Sequence, residues 1–195
     1  MALGYPLDTP DTIGIGNIEL RTVNSVAVSQ SPFTYRQQVI SHGGQKWEAT
    51  VSLPAVRKDL AAPWKSLLVG LKGQTGTFLL GDPDGKAPQG TATTCSISGN
   101  AGVDSVSAVI NGSLLAGDYI QIGTSGSSRL HMVLQDITSS GSMEIWPALR
   151  SDYTSQSATL INPKGVFRLA TKVTAWSINN VSSYGISFDC VEDLS

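Results

Sequence analysis

The chain has 195 residues, room for one large domain or two small ones that share a boundary. Hydrophobic residues make up 41%, enough for a packed core and too many for a disordered chain, whereas charged residues reach only 14% against about 25% in an average soluble domain. The net charge of −2, with no Lys/Arg cluster beyond Arg57-Lys58, argues against a sequence-reading nucleic-acid binder, which needs a basic patch. Ser, Thr, Gly and Asn fill the missing polar share, a mix that favours short strands and turns over exposed helices. A surface this poor in charge fits one covered by neighbours, although an ordinary secreted β-domain has a similar composition. No apolar run approaches the ~18 residues of a membrane span, so membrane insertion is not expected. The opening Met-Ala-Leu-Gly-Tyr-Pro-Leu-Asp lacks the basic start and apolar stretch of an export signal, which leads us to expect a protein folded in a cytosol. On that expectation Asn111-Gly-Ser113 and Asn180-Val-Ser182 match the glycosylation pattern by coincidence.

Taken in chain order, residues 13–53 read as strands. Ile18 and Leu20, Val26 and Val28, then Phe33, Tyr35, Gln37 and Val39 fall at period two. The clearest run is 47–53, with Trp47, Ala49, Val51 and Leu53 on one face and Pro54 ending it. Ser41-His42-Gly43-Gly44 reads as a hairpin loop. A helix follows at about 57–72, because Leu60, Trp64, Leu67, Leu68 and Leu71 form one helical stripe. Asp59 is the expected cap, Pro63 is tolerable in the first turn only, and Gly70 and Gly73 mark the end. After Phe78-Leu79-Leu80 comes a turn cluster, Gly-Asp-Pro-Asp-Gly-Lys-Ala-Pro, and a boundary near Pro88. From 91 to 162 about six short strands are expected, among them 103–110, 118–122, 129–137 and 143–146; strands so spaced suggest a small barrel or sandwich. Beyond Asn162-Pro163-Lys164-Gly165 alternation returns, with Tyr184, Ile186, Phe188 and Cys190 on one face. The expected fold class is therefore mainly β. Residues 1–87 and 165–195 form a β domain with one helix, and 88–164 form a small inserted barrel.

The search for chemistry yields no catalytic, cofactor or metal residues. Asp82-Pro83-Asp84-Gly85 resembles the start of a calcium loop, but Lys86 stands where a ligand is needed and the closing Glu is missing, so a turn is the better reading. Gly14-Ile15-Gly16 lacks the third glycine of a dinucleotide loop, since Glu19 occupies that place. The two histidines, His42 and His131, have no nucleophile-elbow motif to serve. Cys95 and Cys190 lie in strand-like runs, match no metal spacing, and read as buried small hydrophobes ahead of a disulfide. Trp47, Trp64, Trp146 and Trp176 each fit a strand or helix face, so core is the expected place for all four; for Trp146 a sugar-binding platform is the minority reading.

An ordered set of segments carries a resemblance. It begins with Gly-Gly-Gln-Lys-Trp-Glu-Ala-Thr-Val-Ser-Leu-Pro at 43–54, Trp-Lys-Ser-Leu-Leu-Val-Gly-Leu-Lys-Gly at 64–73 and Gly-Thr-Phe-Leu-Leu-Gly-Asp-Pro at 76–83. Leu-Ala-Gly-Asp-Tyr-Ile at 115–120, Gly-Val-Phe-Arg-Leu at 165–169 and Tyr-Gly-Ile-Ser-Phe-Asp at 184–189 complete it. Together these resemble the minor or distal tail proteins of long-tailed bacteriophages, over most of the chain, although no single segment is specific. Pro63, ahead of the helix tryptophan, departs from the pattern. The resemblance implies a virion protein forming a ring, usually of six subunits, at the lower end of a tail tube. Such rings join the tube to baseplate hub or fibre proteins and leave a channel through which DNA passes without specific binding. It also implies a sandwich-like ring-forming domain with one helix, a projecting barrel (OB-like), and no enzymatic activity. A tail tube subunit is the nearest alternative; that class is marked by a long apolar hairpin for stacking, and no long insert of that kind stands out in the sequence, although the loop around 30–46 could serve. A carbohydrate-binding tail module and a hydrolase are alternatives from other classes.

Overall fold

The structure, a computed structural model, describes residues 3–12, 14–179 and 183–195. Position 13 of the first expected strand run and the 180–182 glycosylation pattern lie outside the described residues. The protein is mainly β with one helix, and it is built from a mixed seven-stranded sheet and a closed six-stranded barrel. The sheet takes its strands from both ends of the chain: β1 (Leu7–Asp8), β2 (Asn17–Gln30), β3 (Gln37–Ser52), β4 (Thr77–Leu80), β11 (Gly165–Leu169), β12 (Trp176–Ile178) and β13 (Tyr184–Glu192). The barrel takes the middle: β5 (Thr94–Gly99), β6 (Ser105–Asn111), β7 (Tyr119–Ile122), β8 (Arg129–Val133), β9 (Gly141–Trp146) and β10 (Tyr153–Thr159). Sheet order is β1-β4-β11-β13-β3-β2, with β12 paired to the start of β13; barrel order is β10-β5-β6-β9-β8-β7.

Period-two patterning selects the sheet's buried face. Trp47, Ala49 and Val51 of β3 lie on the same side as Ile186, Phe188 and Cys190 of β13, all at 8% exposure or less. Phe167 of β11 and Phe78 of β4 are directly paired and fully buried. Onto this face packs α1 (Lys58–Gly70) through Ala61, Trp64, Leu67 and Leu68, with Leu71 just past its end. The opposite face is solvated, as antiparallel sheets allow, and carries Glu19, Arg21, Glu48, Thr50 and Asp189.

The helix ends differ from the sequence expectation. Its N-cap is Arg57, whose side chain makes no capping bond, and Asp59 lies inside the first turn, where its charge suits the helix dipole. Pro63 is the sixth helical residue, not a first-turn residue. Its missing N–H leaves only the carbonyl of Asp59 without a helical partner, and Asp59 is exposed, so water can serve that carbonyl. The strand expected over 129–137 stops at Val133; Ile137 returns as an isolated bridge to Leu114.

Sheet and barrel share a seam. Along β8 the side chains alternate: Leu130 and Met132 join the sheet's core, while Val133 joins the barrel's. The indole N–H of Trp47 donates to the Leu130 carbonyl at 2.9 Å, and its ring meets Trp146 edge-on with centroids 4.5 Å apart. Beside it Glu192, 5% exposed, accepts from the Trp47 amide and pairs with Arg150 at 3.0 Å. Arg150 also donates to the Gln45 carbonyl, and the Gln45 side chain accepts from the Ala148 amide. Charged and amide groups at the seam thus meet one another, as burial favours, but Arg150 Nε and Glu192 Oε1 are buried there with no hydrogen-bond partner among the described residues.

Candidate assembly interface

Beyond Glu48 the strand β3 no longer pairs with β13, and β2 is its only ladder partner among the described residues. The two strands run on as a ribbon to a turn at residues 31–36, closed by Ser31 N–H to Arg36 C=O at 3.0 Å and Tyr35 N–H to Ser31 C=O at 2.9 Å. Phe33 and Tyr35, expected within a strand, therefore stand at the tip of a hairpin, Tyr35 with φ of 55°. His42-Gly43-Gly44 is not the turn. It lies inside β3, where Asn24 faces Gln45 and Val26 faces Ser41, so three residues oppose Ser25 alone in a bulge. Gly43 has φ of 72°, a conformation open to glycine; the glycine pair that looks like a turn signal in sequence is absorbed here as a kink between two paired stretches.

The last bond tying this arm to the body is Trp146 Nε1–H to Asn24 Oδ1 at 2.9 Å. From Asn24 to Gly44 every residue but the half-buried Ser31 is exposed, so neither face of the ribbon is packed. Val28 and Val39 are paired on one face at 60% exposure each, Ala27 and Ile40 on the other, and Phe33 at the tip is 92% exposed. Residues 24–44 contain one charged residue, Arg36. A two-stranded ribbon is marginally stable in water by itself. Exposed strand edges in monomeric proteins are usually guarded by Lys, Pro or inward charges. Here the outer edge of β2 has no pairing partner among the described residues, and its charges, Glu19 and Arg21, stop near the base. The arrangement suits burial against another protein surface.

The residues weighed for chemistry lie apart from the arm, apart from His42 in its bulge. His131 sits on β8 on the same side as Val133, 1% exposed, and its Nδ1–H donates to the Pro147 carbonyl at 2.7 Å. Burial lowers its pKa to about 4, a tendency opposed by the Pro147 bond and reinforced by Arg150 and Arg129. A neutral imidazole walled into a core does not present itself to a substrate. Asp82 and Asp84 form a turn, with the Asp84 amide donating to Asp82 Oδ1 at 2.9 Å. Among the described residues no three His, Cys, Asp or Glu side chains are grouped to hold a metal ion, and no helix is long and apolar enough to cross a membrane. Trp146 is half-buried against Trp47 and is not an open platform; Trp176, expected in a core, is instead 39% exposed, because its short strand β12 is exposed throughout, and Lys65 Nζ lies 6.0 Å from its ring centroid.

Cys95 belongs to the barrel core and Cys190 to the sheet core, both as free thiols. Burial pushes their pKa values up to about 11 and about 12. Because the thiolate is the reacting species, a maleimide reagent at pH 7 is expected to leave both unlabelled for hours in the native protein and to label both within minutes in denaturant. Fast native labelling of either would mean that its core opens readily.

The arm's length and exposure were not legible in the sequence: its period-two pattern is that of any half-buried strand, and what leaves it bare is that beyond Glu48 no second strand pairs with it among the described residues. A scan against models of known protein families finds no match for this chain, and no curated protein matches it.

Proposed function

We propose that this protein is a structural virion subunit that assembles, through its β2–β3 arm and open sheet edge, into a ring at the distal end of a phage tail tube, most simply of six copies. The ring joins the tube to hub or fibre proteins and leaves a channel for DNA. The observation that carries this reading is the arm: a bare, nearly uncharged ribbon with aromatic residues at its tip, on a body whose chemistry-bearing residues are buried or tied into turns. Contact between two different patches of identical subunits generates a ring when the rotation closes. Electron microscopy of the purified protein and crosslinking of intact tails test it. Sixfold rings and a crosslinked ladder reaching six support the reading; a ladder that stops at two or three overturns it.

Shortening the arm separates assembly from folding. Replacing residues 28–39 with Asn-Gly closes the ribbon at the Ala27–Ile40 pair with a favoured hairpin turn. The removed residues other than Ser31 are exposed, so the unfolding free energy is expected to stay within about 0.5 kcal/mol of the parent, while higher assemblies disappear from size-exclusion light scattering. Unchanged assembly would remove the arm from the mechanism.

A conduit for DNA should not hold phosphate, and each Lys or Arg contact steepens the salt dependence of binding. The net charge of −2 fits double-stranded DNA binding weaker than about micromolar at physiological salt, with a shallow slope. Tight binding with a steep slope would replace the conduit reading.

A tail tube subunit is the second reading, favoured by the long apolar hairpin that marks that class. Purified protein that polymerises into open tubes, in place of single rings, would select it.

A further inference from the structure

The arm tip offers three side chains together, Phe33, Tyr35 and Arg36, and Phe33 touches almost nothing of its own subunit. Aromatic residues and arginine are the side chains that most often anchor protein interfaces, and they do so in pockets. The body carries two neighbouring hollows that share Asp82. The first, about 440 Å³, has apolar walls from Pro10, Ile15, Leu80 and Pro83; Asp11 and Asp82 are balanced there by Lys86 and Lys164, so it is neutral overall. The second, about 380 Å³, holds Asp82, Asp84 and Asp118, the ring of Tyr119, and no cation. Asp118 is buried and spent on the amides of Gln89, Gly90 and Leu115, and Asp82 accepts from the Asp84 amide. Asp84 is exposed, and its carboxylate is open to a partner.

Resting on the ring reading, we infer that the arm tip of one copy docks into these paired hollows of the next copy, Phe33 entering the neutral one and Arg36 the acidic one beside it. The match is one of charge and shape. The only charge on the arm is positive and lies at its tip, while the hollow with charge of one sign is negative and counts the aromatic Tyr119 among its lining residues, a favourable neighbour for a guanidinium. The neutral hollow is large enough for a phenyl ring. The tip cannot satisfy its own subunit's hollows, because the eight residues from Asn24 to Ser31 carry it about 25 Å outward at ~3.3 Å per residue. Tip and socket are different patches of one chain, which is the heterologous arrangement that closes into rings.

The test uses the full-length protein at a concentration where it assembles. Phe33→p-benzoylphenylalanine, mixed with isotope-labelled subunits and irradiated, is expected to crosslink between copies to peptides spanning 9–15 or 80–86. In parallel, Arg36→Glu and Asp84→Arg are each expected to weaken self-association by about tenfold or more, and the double variant to restore it to within about threefold, as a charge swap across one contact does. Thermal unfolding of each variant checks that the body is intact. Crosslinks to another stretch of the neighbour, or no rescue in the double variant, overturn the docking while rings that still form leave the ring reading in place. A chain that stays monomeric up to millimolar concentration overturns the ring, and the docking with it.

Discussion

Trp47→Ala is expected to lower the unfolding free energy by about 4 kcal/mol, the largest effect of any single truncation proposed for this chain. Trp47 is 1% exposed and lies where the sheet's core and the barrel meet. Its removal empties a cavity against Trp146 and Tyr119, whose ring centroids lie 4.5 and 6.1 Å from its own. It also leaves the carbonyl of Leu130 without its 2.9 Å donor. The two losses act together, since a buried acceptor stripped of its partner costs about 1–3 kcal/mol beyond the cavity. Domain stabilities of about 5–15 kcal/mol leave little margin for such a change. Trp47→Phe, which restores most of the ring volume but not the donor, should cost about half as much. Urea denaturation followed by far-ultraviolet circular dichroism measures both. A loss below about 1 kcal/mol for the alanine variant would show that sheet and barrel do not depend on the seam.

Acidification is expected to destabilise the fold through His131, beginning above the range where carboxylates titrate. The unfolded chain takes up a proton there near pH 6.5, whereas in the folded protein burial lowers the pKa to about 4. Between those values the unfolded state binds more protons, so stability falls as pH falls through that window and is fully present above it. From pH 7.5 to 4.5 the contribution of this one group is roughly 2–3 kcal/mol. The groups that face it explain why it stays neutral. Its Nδ1–H is given to the Pro147 carbonyl, Nε2 has no partner among the described residues, and the nearby charges, Arg150 and Arg129, are both positive. His131→Gln keeps a donor and removes the titration, so its stability should fall roughly 2–3 kcal/mol less than the parent's over the same interval. Carboxylates such as Asp193, held below the ordinary range because hydrogen bonds from Arg168 and Ser195 outweigh its burial, contribute equally to both proteins and cancel. Equal losses in parent and variant would show that His131 is accessible to water.

Local pattern determined a good deal of this protein by itself. The alternation of Trp47, Ala49, Val51 and Leu53, and of Tyr184, Ile186, Phe188 and Cys190, named the buried face of two strands correctly, because a strand's side-chain period of two is set by the backbone alone. The stripe from Trp64 to Leu71 did the same for the helix, and the even spacing of short strands with Gly and Ser between them pointed to a small barrel or sandwich, of which the structure has the closed barrel. What misled were signals whose meaning depends on distant partners. Gly43-Gly44 carries the composition of a turn, yet pairing of Val39, Ile40 and Ser41 with β2 holds it inside a strand as a bulge. Phe33 and Tyr35 keep strand periodicity and sit in the turn itself. The arm is the extreme case. Val26, Val28 and Val39 have the pattern of core residues, and only the end of β13 pairing at Glu48 leaves them without a core to enter. Tertiary structure alone also decided the seam, where Trp47, Leu130, Arg150 and Glu192, up to 145 residues apart, are brought into hydrogen-bonding reach. Burial face is a property of a segment; exposure of an arm and pairing across a seam are properties of which segments the chain brings together.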